Sequence, residues 1–168
     1  DANPNVTTSN FTYTGFVNGD TNAAVTASGD YGAITTATNV GSYAVGANFS
    51  ATNYNITNSP TTTLAISKRD ITAAVNNVSK TYGDALQSLS WSDVAWSNLA
   101  NGETGSVLDA LTVAAPTYSV TSNAGSTHSI NLTGFSDNNY NLTGSTAGVL
   151  SIDKATLTLR VADAQRKA

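Results

Sequence analysis

The residues of this sequence that could do chemistry are few and far apart. His128 is the only histidine, and it stands among serine and threonine residues. A Ser-His-Asp site needs a histidine that a carboxylate orients beside a nucleophile, but hydroxyl side chains are so abundant here that their proximity carries no information. Glu103 is the only glutamate and aligns with Asp20 in an internal repeat, where a turn or helix-cap role is favoured over acid–base catalysis. We therefore expect an exposed strand position for His128 and no enzymatic activity.

Oxygen ligands cluster in one place, the segment FSDNNYN at residues 135–141. Calcium needs about six to eight oxygens, and the sequence contains no Asp-x-Asp-x-Asp-Gly loop to supply them. We interpret the segment as an Asx-rich turn before a strand. Because there is no cysteine, neither a disulfide nor a thiolate metal site is available. No metal or cofactor is predicted.

Two tryptophans, Trp91 and Trp96, lie five positions apart, which places them on opposite faces of a strand. One should pack in a core, and the other should be more exposed than tryptophan usually is. An exposed aromatic ring offers an apolar face to a sugar or to a neighbouring domain. Trp96, Tyr118 and Tyr31 are therefore candidates for contact with a glycan.

The charge content argues against nucleic-acid and membrane partners. Charged residues make up 11% of the chain, and the formal net charge is −4. Phosphate binding needs clustered Lys and Arg, and the few basic residues here form neither a patch nor a stripe. No apolar run approaches the roughly 20 residues of a membrane-spanning helix.

The chain contains an internal repeat. Residues 52–68 (TNYNITNSPTTTLAISK) lie over residues 138–154 (NNYNLTGSTAGVLSIDK) without a gap, and this alignment places Tyr54 over Tyr140. Two shorter matches keep the same order along the chain: VNGDT at 17–21 over ANGET at 100–104, and VGS over AGS, which aligns Gly41 with Gly125. The preserved order indicates two homologous modules that differ in loop length.

Hydrophobic alternation places the boundaries of these modules. Leu64 and Ile66 fall on even numbers, whereas the next apolar series, from Ile71, falls on odd numbers. A change of phase across a short charged stretch indicates two strands that face different cores, and the same change occurs across 154–156. We predict a first module at 1–69, a second at 70–154 and the first strand of a following module at 155–168. Because neither junction contains Gly or Pro, both junctions are expected to be stiff.

Both modules are predicted to be mostly β. Alternation predicts strands at 10–16, 33–37, 42–48, 54–58, 88–96, 111–115, 117–121, 127–134 and 140–144. Short helical turns are expected within 18–25 and 101–111, with Asp20/Thr21 and Glu103/Thr104 as caps. An immunoglobulin-like or other β-sandwich and a β-grasp-like sheet both suit this pattern. A true helix in these two places would favour the β-grasp.

The segment SKTYGDALQSL at 79–89 marks where a module body begins. Asp1-Ala2 repeats Asp84-Ala85, so the first module is expected to lack its first strand and its Tyr-Gly turn. Tyr82, Gly83 and Asp84 are assigned structural roles. Tyr82 should anchor the turn in the core or at the sheet edge, and Gly83 should adopt a backbone angle that other residues resist.

These motifs together resemble a known family. KTYGDA (80–85), GFVNGDT (15–21), NVGSYAV (39–45), NYNIT (53–57) and LAISKRDIT (64–72), the last repeated as LSIDKATLT (150–158), resemble the MBG repeat of YGX type. The resemblance implies a small β-rich module that occurs in tandem in very large bacterial surface and secreted adhesins, including filamentous-haemagglutinin-like proteins. It brings no catalytic residues. Module 2 departs from the pattern where AGSTHSI replaces the Gly-x-Tyr of VGSYAV.

The expected function is that of a structural stalk or spacer at the bacterial cell surface or in a secreted biofilm or filament protein. Its expected partners are neighbouring modules of the same protein, with carbohydrate or host surfaces engaged by other domains. The segment 155–168 is expected to be unpaired or to complete residues 1–69 of a neighbouring chain as a donor strand. The alternative is a glycan-binding module that uses exposed aromatic residues.

Overall fold

The computed structural model describes residues 2–161. The chain divides into two compact units, Asp1–Arg69 and Asp70–Ala168, here called unit 1 and unit 2. No helix of seven or more residues occurs among the described residues, so the predicted mostly-β fold is confirmed. The strands are β1 (Val25–Asp30), β2 (Gly41–Ala51), β3 (Thr62–Ile66), β4 (Arg69–Val75), β5 (Val78–Thr81), β6 (Val94–Ser97), β7 (Ala110–Ala114), β8 (Thr127–Ser136), β9 (Tyr140–Thr146) and β10 (Gly148–Asp153). The 3-10 turns are η1 (Thr8–Asn10), η2 (Asn22–Ala24), η3 (Trp91–Asp93) and η4 (Gly105–Val107).

Unit 1 contains one antiparallel sheet with the strand order β1-β2-β3. Its buried hydrophobic residues are Val25, Val45 and Ala47. Aromatic rings extend this small core, with Phe11 edge-on to Phe49 at 4.8 Å and Phe16 edge-on to Tyr54 at 5.2 Å. Edge-to-face geometry is a favourable arrangement for such rings. Aromatic side chains therefore supply much of the apolar packing in unit 1.

Unit 2 contains two sheets, with the orders β5-β10-β8-β7 and β6-β4-β9. The first sheet is antiparallel except for β5 and β10, which run parallel. Both sheets contribute to one hydrophobic cluster, whose buried members are Ala73, Val75, Val94, Val113, Ile130 and Leu150. Two sheets around one core form a layered β arrangement. The described part of unit 2 does not contain the helix that would favour a β-grasp.

The predicted change of phase between β3 and β4 is confirmed by burial. In β3 the half-buried positions are Leu64 and Ile66, whereas in β4 Ile71, Ala73 and Val75 are buried. Only Ser67 and Lys68 separate the two strands. The side-chain alternation is therefore reset within two residues, as expected for strands that serve different cores.

The sequence repeat is a structural repeat in one of the two sheets. Tyr43 pairs with Leu64 in unit 1 as His128 pairs with Leu150 in unit 2, so β1, β2 and β3 correspond to β7, β8 and β10. The 3-10 turns η1 and η2 correspond in the same way to η3 and η4. The described residues of unit 1 contain no counterpart of β4, β5, β6 or β9.

Several predicted strands are wrong. Residues 33–37 form two successive turns, closed by Ile34 N–H to the Tyr31 carbonyl at 3.0 Å and Thr38 N–H to the Thr35 carbonyl at 3.1 Å. Residues 117–121 also form turns, because Pro116 occupies the second position of a turn that ends at Tyr118. The predicted strands at 10–16 and 54–58 are not strands, and 88–96 contains only the start of β6. β1 was not predicted.

The short helical turns are confirmed as 3-10 turns. Thr21 caps η2, because its hydroxyl accepts a hydrogen bond from Ala23 N–H at 3.4 Å, whereas the Thr104 side chain makes no such bond to η4. At the other end of the chain, residues 154–161 form no strand, and Leu157, Leu159 and Val161 are 82%, 87% and 98% exposed. The rest of the predicted strand, 162–168, lies outside the described residues.

Candidate functional site

The Tyr-Gly turn follows β5 directly. Asp84 N–H donates to the Thr81 carbonyl at 3.1 Å, and Gly83 has a φ of +92° at the third of the four positions. A positive φ there is the signature of a type II turn and selects glycine. Tyr82 N–H donates to the Asp153 carbonyl at 2.8 Å, so the turn extends the β5–β10 pairing by one bond. The Tyr82 side chain is 47% exposed, which makes it an edge anchor through its backbone rather than a core residue.

Parallel pairing fixes where this turn lies. β5 and β10 run in register from Val78 opposite Leu150 to Thr81 opposite Asp153. Since parallel strands end at the same edge of a sheet, the Tyr-Gly turn lies beside the end of β10. The motif therefore lies next to β10, the last strand among residues 2–161.

Tyr140 closes a second turn in unit 2. Asn101 and Gly102 have positive φ values of 52° and 73°, as a type I′ turn requires, and Glu103 N–H donates to the Ala100 carbonyl at 2.8 Å. The Tyr140 hydroxyl accepts from Ala100 N–H at 3.0 Å and donates to the Glu103 carboxylate. We call this arrangement of a tyrosine, a turn and a carboxylate the tyrosine clasp.

The same clasp occurs in unit 1. Asn18 and Gly19 have φ values of 57° and 79°, the Tyr54 hydroxyl accepts from Val17 N–H at 3.2 Å, and it donates to Asp20 Oδ2 at 2.6 Å. This bond to the carboxylate raises the pKa of Tyr54 above its ordinary value, because ionisation would place two negative charges together. The turn role predicted for Asp20 and Glu103 is thus confirmed, but their pairing with tyrosines was missed.

The aligned glycines Gly41 and Gly125 hold equivalent backbone positions. Gly41 pairs with Ile66 at the start of β2, and Gly125 N–H donates to the Ile152 carbonyl at 2.7 Å. A Cβ on Gly41 would lie 3.2 Å from the ring of Tyr43, so the glycine lets that ring lie over the strand. Both glycines therefore lie near the start of an inner strand, Gly41 as the first residue of β2 and Gly125 two residues before β8.

His128 lies in a small polar cluster on β8. Its Nδ1 lies 3.2 Å from Thr117 Oγ1, and its Nε2 lies 3.3 Å from the hydroxyl of Ser126. Ser126 in turn donates to the Asn123 carbonyl at 2.6 Å. Within residues 2–161, no hydrogen bond joins His128 to a carboxylate, so the arrangement lacks the orienting acid of a Ser-His-Asp site. His128 is half-buried, which differs from the exposed position that the sequence suggested.

Tyr118 is a half-buried neighbour of His128. The two rings are edge-on at 5.9 Å. The Lys80 ammonium donates to the Tyr118 hydroxyl at 3.0 Å and lies 5.0 Å from the ring centre, which is within cation–π range. The intramolecular contacts of Tyr118 therefore join β5 to the loop before β8. Tyr31, the third aromatic candidate, donates its hydroxyl hydrogen to the Pro4 carbonyl.

The two tryptophans differ in exposure, but they do not occupy opposite faces of one strand, because Trp91 lies in η3 and only Trp96 lies in β6. Trp96 is half-buried against the core of unit 2, and its Nε1 donates to the Trp91 carbonyl at 3.4 Å. Its ring lies against Gly105, where a Cβ would lie 2.9 Å from Cδ1. Trp91 is the exposed one, at 43%. Trp91 is therefore a better candidate than Trp96 for a surface contact by an indole ring of unit 2.

Asp137 is the only buried charged residue in the described chain, at 7% exposure. Its carboxylate accepts backbone N–H bonds from Asn139 at 2.7 Å, Tyr140 at 2.9 Å and Asp109 at 3.1 Å. The interpretation of this segment as an Asx turn is confirmed by the bond two residues ahead. The bond to Asp109, 28 residues earlier, was not foreseen. Among residues 2–161 no group of three or more His, Cys, Asp or Glu side chains is arranged to hold a metal.

Comparison with known families gives the class of the protein. The model of the MBG domain (YGX type) matches residues 1–64 and 71–151. The chain therefore belongs to this family and carries two copies of its domain. Such repeats typically occur in extracellular surface proteins. No curated protein and no solved structure matches the chain, and no helix within residues 2–161 is long and apolar enough to span a membrane.

Proposed function

We propose that this chain is a spacer of a bacterial surface adhesin or of a biofilm or filament protein. Its function is to set a distance and a stiffness between other parts of that protein. Family membership supports the extracellular setting. The observation that carries the proposal is the connection between the units, because β3 ends at Ile66 and β4 begins at Arg69. Two residues without Gly or Pro leave little freedom between consecutive strands.

The stiffness can be measured directly. Spin labels at Thr36→Cys in unit 1 and Thr121→Cys in unit 2 report one distance between the units, and the chain has no other cysteine. We expect a narrow distance distribution by pulsed electron paramagnetic resonance. Inserting Gly-Gly-Ser between Lys68 and Arg69 should broaden it. An equally broad distribution in both proteins would contradict the proposal.

Stability offers a second measurement. In a tandem array, stability is a sum of module terms and neighbour terms. We expect residues 70–161 expressed alone to unfold at a lower midpoint than the same residues in the whole chain. An unchanged midpoint would show that the junction does not couple the units energetically.

The location can be tested on cells. Antibodies raised against residues 1–168 should label intact cells of the source organism or its secreted fibres. Labelling that requires permeabilised cells would contradict a surface role.

A glycan-binding module is the second candidate, and one surface favours it. Trp91 and Val107 are 43% and 45% exposed, and they lie in the contacting turns η3 and η4. Exposed apolar side chains in two contacting turns are of the kind that sugars stack upon. A glycan array should show binding by the natural chain that Trp91→Ala removes. Absence of binding above background would end this candidate.

A further inference from the structure

Two Asn-Gly pairs occur in the chain, and each lies in a tyrosine clasp. Asn18-Gly19 and Asn101-Gly102 are the only places in the sequence where glycine follows asparagine, and they hold the same position in the internal repeat. Each pair forms the two central residues of a turn that is closed by a hydrogen bond between its first and fourth residues. Both asparagines and both glycines are exposed, so water reaches the whole of each pair.

An asparagine that precedes glycine can react with its own backbone. The glycine nitrogen bonds to Cγ of the asparagine side chain, and the amide group leaves as ammonia with the proton that the glycine N–H loses. The product is a cyclic succinimide, and no oxidant or reductant takes part. Water then adds to one of the two ring carbonyls and breaks its bond to the ring nitrogen, which gives aspartate or isoaspartate. Glycine favours ring closure because it has no Cβ to crowd the attacking nitrogen.

The ring fixes one backbone angle of the asparagine. Its atoms are Cα, Cβ, Cγ, the backbone carbonyl carbon and the glycine nitrogen, so this nitrogen must lie nearly in plane with Cβ. For an L-residue that arrangement is the ψ of about −120° found at the first central position of a type II′ turn, whereas a type I′ turn has a ψ of about +30° and the same φ of about +60°. Asn18 and Asn101 have φ values of 57° and 52°. The reactive conformation therefore differs from the observed turn only by a flip of the Asn–Gly peptide group.

Both turns have room for this flip. A Cβ added at Gly19 or Gly102 would meet no atom within 4 Å. The turn-closing bond joins the first and fourth residues in both turn types, and the clasp tyrosines bond to those same two residues. The flip therefore leaves these bonds in place. Because a type II′ turn favours glycine at its first central position, the flipped state is a minor one, and ring closure consumes it.

We propose that Asn18 and Asn101 are modification sites, at which the folded chain deamidates through a succinimide that forms inside the clasped turn. The reaction takes water as its only second reactant. The isoaspartate product carries the main chain through Cβ and adds one atom to a turn of four residues. That atom separates the two residues that the tyrosine hydroxyl joins, so the clasp opens and the unit loses stability. The proposal does not depend on the spacer function, and either can fail without the other.

Peptide mapping by mass spectrometry tests the sites. The natural chain is incubated at mildly alkaline pH, folded in buffer or unfolded in guanidinium chloride. We expect the peptides of Asn18 and Asn101 to exchange the mass of NH2 for that of OH, at a folded rate within about tenfold of the unfolded rate. Asn98 is the internal control, since it also has a positive φ of 72°, but Leu99 follows it and its amide donates to the Asp70 carbonyl at 2.7 Å. A folded rate lower than this range, or an Asn98 that reacts as fast as Asn101, would overturn the proposal.

A clasp variant tests where the ring forms. Tyr140→Phe removes the two hydroxyl bonds at the ends of the unit 2 turn, while Asn18 in unit 1 serves as a standard within the same molecule. Because the flip keeps the ends of the turn together, the ratio of the Asn101 rate to the Asn18 rate should be the same in the variant and in the natural chain. A ratio that rises severalfold would show that the turn must open before the ring closes, and the proposal would then be wrong.

The effect on the clasp is tested by ageing the protein. Asn101→Gly has no side-chain amide, and Gly-Gly is a preferred pair in type I′ turns, so this variant keeps the turn and cannot form the ring. Both tryptophans lie in unit 2, and their fluorescence gives its urea midpoint. After equal incubation the midpoint should fall for the natural chain, in proportion to the isoaspartate at position 101, and stay constant for Asn101→Gly. An equal fall in both proteins, or a constant midpoint in a natural chain that has accumulated isoaspartate, would refute the opening of the clasp.

Discussion

The tyrosine clasp of unit 2 is a test of how much one hydroxyl group contributes to a module. Tyr140→Phe removes the oxygen that accepts from Ala100 N–H and donates to the Glu103 carboxylate. The buried aromatic ring, at 5% exposure, is kept by the substitution, so little packing is lost. The substitution therefore isolates the two hydrogen bonds.

The magnitude follows from the charge and the exposure of each partner. A hydrogen bond to a charged group contributes about 1.5–3 kcal/mol and a neutral one about 1 kcal/mol. Glu103 is exposed, so water replaces part of the lost bond to its carboxylate. We expect a loss of about 2 kcal/mol in the free energy of unfolding of unit 2. At a urea dependence of about 1.5 kcal/mol per molar, the midpoint should fall by about 1.3 M.

The chain supplies its own probe and control. Both tryptophans lie in unit 2, so indole fluorescence during urea unfolding reports on that unit. Tyr54→Phe removes the equivalent hydroxyl from unit 1 and should move the fluorescence transition much less. Glu103→Gln keeps an acceptor oxygen and should cost less than Tyr140→Phe. If Tyr140→Phe moved the midpoint no more than Tyr54→Phe, the assignment of the clasp as a stabilising feature would be refuted.

Three further substitutions or conditions have defined outcomes. Asp137→Ala leaves buried N–H groups without their acceptor, and the free energy of unfolding measured with urea should fall by about 2–3 kcal/mol. Asp137→Asn keeps one acceptor oxygen and should lower it less. Gly148→Ala forces a Cβ against backbone oxygens and should cost about 1–3 kcal/mol, whereas Gly144→Ala, with open space around it, should leave the midpoint nearly unchanged. The raised pKa of Tyr54 contributes stability that is complete below its unfolded value near 10 and is lost as pH rises through the folded value. Unfolding followed by circular dichroism at pH 9 and pH 11 should therefore show a smaller pH effect for Tyr54→Phe.

Each result has a counterpart that would contradict its reasoning. Equal losses for Asp137→Ala and Asp137→Asn would show that accepting backbone bonds is not the role of this carboxylate. Equal midpoints for the two glycine variants would show that the backbone at the end of β4 moves to accommodate the added Cβ at little cost in free energy. An identical pH dependence for the natural chain and Tyr54→Phe would show that the Tyr54 hydroxyl does not contribute to the loss of stability at alkaline pH.

The local alternation of apolar residues predicted several strands and failed where turns interrupt it. β2, β7, β8 and β9 were anticipated, because β-branched and aromatic residues alternate there. The apolar residues of 33–37 predicted a strand. The structure has two turns there instead, in which the N–H groups of Ile34 and Thr38 donate to the carbonyls of Tyr31 and Thr35. Turn chemistry overrides a weak alternation of this kind.

Non-local partners explain the remaining errors. Residues 54–58 and 140–144 have nearly the same sequence, yet only the second forms a strand, because β4 pairs with it. The same reasoning applies to the clasps, since Tyr140 and Glu103 are 37 positions apart and no local pattern joins them. The repeat did align Tyr54 with Tyr140 and Asp20 with Glu103, so a signal for the pairing was present in the sequence.

The parallel pairing of β5 with β10 has a mechanical consequence. When the chain is pulled from its two ends, tension acts on unit 2 through the β4–β5 side and through the end of β10, so it pulls the two paired strands in opposite directions along their length. Such a load acts on the bonds between Val78–Thr81 and Leu150–Asp153 together, in shear, instead of opening them one after another. We expect single-molecule pulling from the two ends to give high unfolding forces for unit 2, and Gly148→Ala, at the start of β10, to lower them. A module that unfolded at low force would show that this pairing does not bear the load.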